Sequence, residues 1–324
     1  VFKRSRYLVI LIATFISVVW PLSACKPQPV TKANDSFKGT ITISGAFALY
    51  PMMQRWAEEF HAIHPEVEFD ISAGGAGKGM TDVLSDAVDI GMISRDIVDE
   101  EISKGAYGIA VTKDAVFPTV NEQNPIIQDL LTQGIDQETF IKIYITGQIT
   151  NWGQVIGRSD VLDEIHIYTR SDSCGAGEIW AKFLGNNKQE DLLGIGVSGD
   201  PGVVQAVAQD PLGIGYNNLN YAFDITTGNP VTGITVAPID ININHLADSD
   251  EIFHINAEAI SAVASGKYPS PPSRLLYLAT HGKPTGLTQS FIEWILIDGQ
   301  DLLSESGYIQ LTLDQLDLSL NRVR

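Results

Sequence analysis

Between residues 39 and 94 the chain alternates strand, glycine loop and helix with a regularity that few architectures accommodate. Gly39 to Ser44 reads as a short β-strand, and Pro51 to Ala62 as a helix carrying Met52, Met53, Trp56 and Phe60 on one face. Val67 to Ala73 alternates as a second strand, Gly74 to Gly77 is a tight loop, and Lys78 to Ala87 is a second helix. Asp89 to Ser94 supplies a third strand. This βαβαβ order builds a parallel sheet with helices on both faces, in which ligands bind beyond the carboxyl ends of the strands. Segments 44–51, 74–79 and 94–96 all lie at such ends, so three loops should converge on one crevice.

The geometry repeats further on. Ile165 to Thr169 reads as a strand, Arg170 to Gly175 as a loop, and Gly177 to Leu184 as the helix that the loop opens. A helix N-terminus offers unpaired N–H groups and partial positive charge to an oxyanion. Arg170 can add a planar fork for two oxygens, while Asp172 could brace that fork or accept a ligand proton. A surface ion pair beside an ordinary cap at Ser173 is the plainer alternative. Later strands are expected at 109–112, 214–216, 236–239 and 275–280, and late helices at 288–297 and from Asp301. The chain should therefore fold as an α/β protein of two doubly wound lobes joined by a two-crossing hinge. Residues 38–112 and 238–324 would form the first lobe and 113–237 the second.

The first residues carry Lys3, Arg4 and Arg6 before an apolar run from Tyr7 to Trp20, the order of a secretory signal. Leu22-Ser23-Ala24-Cys25 looks like the lipobox of bacterial lipoproteins. That resemblance implies a signal over 1–24, a lipid on Cys25, a tether over 25–37, and an extracytoplasmic place on a membrane. Formal net charge is −18, which argues against a nucleic-acid partner and leaves anion capture to a few local cations and oriented N–H groups. With Cys25 lipidated, Cys174 stands alone and no disulfide framework is possible.

The ordered segments 44–51, Gly74 to Met80, Asp89 to Arg95, Ile149 to Trp152, Arg170 to Gly175, Ile214 to Tyr216, and 282–284 with 306–308 together resemble the phosphate-binding protein family of ABC importers. The resemblance covers nearly all of the chain after the leader. It implies a type II periplasmic-binding-protein fold that closes on an oxyanion and hands it to permease subunits, with no cofactor and no catalysis. The ligand residues it implies are Gly45, Ala46, Phe47 and Ala48; Gly75, Ala76 and Gly77; Ser94 and Arg95; and Arg170, Asp172, Ser173, Cys174 and Gly175. Departures accompany the match. Ala48, Ala76, Cys174 and Ala176 stand where the family typically has hydroxyls, and Arg95 where some members carry a carboxylate. Phosphate is the implied ligand; molybdate, tungstate, sulfate, or a sensor lipoprotein that kept the fold are the alternatives.

Other patterns lead nowhere. Gly194 to Gly199 satisfies a dinucleotide pattern, but a Pro-Gly pair follows at 201–202 and no clear strand precedes it. The six histidines show no metal-ligand spacing. A hydrolase of phosphate esters would need a nucleophile with a base, or a metal cluster, and neither is visible. Cys174 beside Arg170 could be an activated thiol, although packing beneath the loop is the preferred reading.

Overall fold

The computed structural model describes residues 37–324; the leader, Cys25 and the tether as far as residue 36 lie outside the described residues. Strand β1 (Gly39–Gly45) leads through a short 3-10 turn into helix α1 (Tyr50–Ile63), then β2 (Val67–Ala73), α2 (Ala76–Leu84) and β3 (Ile90–Ile93). These match the alternation expected from sequence to within a few residues. Ile41 and Ile43 point inward from β1, and Met52, Met53, Trp56 and Phe60 of α1 are buried against them. Pro51 sits in the first turn of α1, where a missing N–H costs nothing. Both β2 and β3 pair with β1 in parallel.

Helix α3 (Asp99–Ser103) precedes β4 (Ala106–Asn121), a strand of 16 residues. The sequence suggested a strand over 109–112 only. The structure extends it to 16 residues, because its side chains pass from one core directly into the next. After it come α4 (Ile127–Gln133), α5 (Gln137–Tyr144), α6 (Trp152–Ile156), β5 (His166–Arg170), α7 (Gly175–Phe183), β6 (Ile195–Val197), α8 (Gly199–Gln209), β7 (Gly213–Asn218), α9 (Leu219–Ala222), β8 (Ile234–Val236) and α10 (Asn256–Ala264). Strand β9 (Ser273–His281), α11 (Gly286–Ile297) and α12 (Leu313–Val323) complete the chain. Sheet order is β2-β1-β3-β9-β4-β7-β5-β6, with β8 added to β4. The first half of β4 pairs with β9 and the second half with β7 and β8, all antiparallel.

Two apolar cores flank this shared strand. One gathers Ile41 through Val111 with Leu276 through Val323, and the other gathers Ala115 through Tyr268. Ala237, Ile239, Phe253, Ala259 and Tyr268 pack in the second core, so the stretch after 238, expected with the first lobe, adds its side chains to the second. Its apolar residues are too few and scattered to announce which core they join.

Strand β6 lies inside the Gly194 to Gly199 segment rather than before it, and α8 begins at Gly199 with Pro201 in its first turn. One local reading changes. Near Asp301 there is only a 3-10 turn (Asp298–Leu302); the last helix begins at Leu313, where the Thr312 side chain caps it by accepting from the Gln315 N–H.

Candidate functional site

The loops that follow β1, β2 and β3 are laced together by backbone bonds. Ala46 N–H donates to Met92 O at 2.9 Å, and the N–H groups of Gly74 and Gly75 donate to Gly45 O at 2.9 and 3.0 Å. Against this face comes the loop after β5, with Gly77 N–H donating to Ser173 O at 3.2 Å. The approach is so close that side chains are excluded. Gly75 has φ +90°, and a Cβ there would lie 2.8 Å from Asp172 Oδ2. At Gly175 a Cβ would overlap the carbonyl oxygen of Ser94. The predicted loops 45–48, 75–77, 94 and 170–175 thus meet in one closed crevice.

Arg170 is its central charge. Nε donates to Asp172 Oδ1 at 2.8 Å, Nη2 to Asp172 Oδ2 at 2.5 Å, and Nη1 to Asp200 Oδ2 at 2.5 Å. The guanidinium carbon stands 5.2 Å from the centre of the Phe47 ring, and the side chain is 1% exposed. A guanidinium has five N–H donors, so one remains on each Nη. Burial lowers the Arg170 pKa, but the charge of Asp200 and the bonds to Asp172 outweigh it and leave the group above its ordinary value. For Asp172 burial raises the pKa, and Arg170 more than offsets this, holding the carboxyl below the usual range.

Gln189 fixes the rest of the loop. Its Nε2 donates to Asp172 O at 2.6 Å and its Oε1 accepts from Cys174 N–H at 3.0 Å. Cys174 is the cap of α7, its Sγ accepting from Gly177 N–H at 3.2 Å. Burial lifts this thiol to about 12, against a smaller lowering by Arg170. Such a group is a packing and capping element, and the activated-thiol alternative lapses.

Arg95 is engaged elsewhere. Nη1 and Nη2 donate to the two oxygens of Glu101 at 2.8 and 2.6 Å, and Nε lies 3.1 Å from Glu178 of α7. With Glu178 and Lys182 it lines a cavity of about 470 Å³ beside the crevice. Lys182 in turn pairs with Asp96 at 3.0 Å, so two ion pairs cross between the segment 95–96 and α7. A second, mostly apolar cavity of about 560 Å³, bordered by Tyr107, Tyr277 and Arg322, lies apart from these loops. Among the described residues no group of three or more His, Cys, Asp or Glu could hold a metal ion.

Three charged residues behind Arg170 were not singled out from sequence. Asp200, fully buried at the start of α8, accepts from Asn218 N–H at 3.1 Å as well as from Arg170. Buried Arg274 of β9 donates from Nη1 to Gly175 O at 2.9 Å and from Nη2 to Asn218 Oδ1 and, at 3.3 Å, to Asp114 Oδ2. Burial pushes Asp114 up to about 6, against the lowering by Arg274. A signal for two of them was present. Asp114 stands immediately before Ala115 to Phe117, and Arg274 immediately before Leu275 to Ala279; a charge inside a core strand needs a buried partner.

Comparison with known proteins supplies the wider context. A family profile described as the PBP superfamily domain matches residues 30–298. The phosphate-binding protein PstS of Bacillus subtilis (strain 168) is 26% identical over 320 residues, covering 96% of this chain and 95% of that protein. The PstS of Methanocaldococcus jannaschii is 24% identical, covering 97% and 92%. Among solved structures, one from Clostridium perfringens, described as a phosphate ABC transporter substrate-binding protein with bound phosphate, superposes with a TM-score of 0.67 at 23% identity over 85% of this chain and 100% of that one. An ABC-type phosphate transport receptor from Vibrio cholerae gives 0.61 at 21% identity over 84% and 100%. The structural likenesses establish the type II periplasmic-binding-protein fold.

Proposed function

The chain belongs to the PBP superfamily, and from that premise we propose that it is the substrate-binding subunit of an ABC importer, closing two lobes on inorganic phosphate and presenting it to a permease. The observation that carries this reading is the buried Arg170 at the meeting of the two sets of loops, with unused N–H groups on both Nη atoms. Beside it, the first N–H groups of α7 have no partner within their own helix. Together they offer an oxyanion oriented donors and one guanidinium. Phosphate would lie among residues 45–48, 75–77 and 94 from the first lobe and 170–175 from the second. Ala48, Ala76 and Ala176 bring no hydroxyl, so backbone donors carry that share of the binding. Arg95, engaged by Glu101 and Glu178, contributes by joining the lobes. We draw the first lobe from 38–112 and 273–324 and the second from 113–272, following the packing of the two cores.

Calorimetric titration of the purified protein tests the ligand. Phosphate should give saturable heat at micromolar concentration, while molybdate and tungstate give none. Heat with those oxyanions and none with phosphate would reassign the site. The location of the subunit is extracytoplasmic, and a lipid on Cys25 would keep it at the membrane. Cys25→Ala should then move the protein from the membrane fraction to the soluble one; unchanged fractionation would refute the anchor.

A further inference from the structure

Every cation around the crevice already has a carboxylate partner. Lys78, which follows the 75–77 loop, is bonded to Asp82. Arg95 has Glu101 and Glu178, and Arg170 has Asp172 and Asp200. Arg274 has Asp114, with Asp200 close enough to act on it. The groups that face Arg170 are Asp172 and Cys174 from its own loop, Asp200 from α8, Tyr216 from β7, Tyr221 from α9 and Arg274 from β9, with Asp114 of β4 behind Arg274 and Asp200. Cys174, Tyr216 and Tyr221 are all displaced upward by burial and stay neutral near pH 7. Two guanidiniums are thus set among three carboxylates, and an anion entering the crevice meets no surplus of positive charge.

Resting on the phosphate reading above, we propose that the crevice takes phosphate as the singly charged dihydrogen form, and that Asp200 is the positioning residue that sets this preference by countering the charge of Arg170. Each further unit of negative charge on a ligand held beside fixed carboxylates costs roughly tenfold to a hundredfold in affinity at the effective dielectric of a protein site. Dihydrogen phosphate carries one charge fewer than hydrogen phosphate or sulfate and one more O–H donor than hydrogen phosphate. Asp172, 18% exposed, is the carboxylate open to that donor. Asp200, 0% exposed and occupied at both oxygens by Arg170 and Asn218, acts only through its charge. Asparagine at 200 keeps an acceptor for Arg170 and removes the charge.

The test is calorimetry with phosphate and with sulfate, a dianion throughout, at about pH 6 and about pH 8, on the wild type, Asp200→Asn and Asp114→Asn. In the wild type, phosphate affinity should fall several-fold between the two pH values, to about sevenfold if only the dihydrogen form binds, and sulfate should not bind. Asp200→Asn should bind phosphate about tenfold tighter at the higher pH, flatten the profile and begin to bind sulfate. Wild-type affinity that is level or rises with pH would overturn the proposal while leaving phosphate as the ligand. So would a folded Asp200→Asn that binds more weakly, the mark of a purely structural brace, or an Asp114→Asn that abolishes the pH dependence by itself. No phosphate binding at either pH would remove the phosphate reading and this proposal together. Should Asp200→Asn fail to fold, the wild-type profile and the sulfate titration still decide.

Discussion

Arg170→Ala should weaken phosphate binding at least about a hundredfold and lower stability by about 3–5 kcal/mol. Both effects follow from what the guanidinium leaves behind. Its removal strips the crevice of the cation nearest the ligand loops and strands Asp172 and Asp200 as unpaired carboxylates, one of them fully buried. An incoming oxyanion then faces uncompensated charge, and the folded chain bears the desolvation of both groups. The pH dependence has a definite sign. Asp172 has a folded pKa below its unfolded value because of Arg170, so its contribution is present above the unfolded value of about 3.9 and is lost as pH falls through the folded one. The stability gap between wild type and variant should therefore be full at neutral pH and narrow in acid. Denaturant unfolding at several pH values measures this, and calorimetry measures the binding. A variant that bound phosphate within tenfold of wild type would show that Arg170 is not at the ligand.

Gly175→Ala separates closure from folding. The added Cβ overlaps the Ser94 carbonyl oxygen across the crevice, a clash that parting the lobes should relieve, and the residue starts helix α7, where alanine is a better helix former than glycine. Overpacking of this kind costs about 1–3 kcal/mol, charged to the closed form alone. Affinity should fall about tenfold to a hundredfold, with thermal stability close to wild type. X-ray scattering should show a larger radius of gyration in saturating phosphate than the wild type gives. Undiminished affinity would mean that the ligand-bound protein does not bring Gly175 against Ser94.

The first lobe was legible because its signals are local. The spacing of Met52, Trp56 and Phe60, the alternation of 67–73 and the glycines at 74–77 each report on one element, and the structure has each of them. The loops that converge were legible for the same reason, since strand ends in a parallel sheet face one way. What the sequence concealed depends on contacts between distant segments. Asp200 looks like an ordinary residue before a Pro-Gly pair until α8 brings it to Arg170, 30 positions away. Glu101 and Glu178 are unremarkable helix residues until both reach Arg95. The thiol of Cys174 could be placed beside Arg170 from sequence, but only its burial decides that it stays protonated.

The unbroken course of β4 makes the middle of the molecule a pivot. Near 113–116 the strand passes from one sheet to the other while β9 lies beside it, so rotation of the lobes displaces this neighbourhood least and the rim most. Asp114 and Arg274 lie at this crossing, paired and almost fully buried. The pair Asp96 with Lys182, between the segment after β3 and α7, is open to water, with Lys182 47% and Asp96 70% exposed. A pair that open to water is worth at most about 1 kcal/mol and is screened by salt. Of the two pairs that cross to α7, Asp96 with Lys182 is the weakly held one, while Arg95, 10% exposed, meets Glu178 at 3.1 Å.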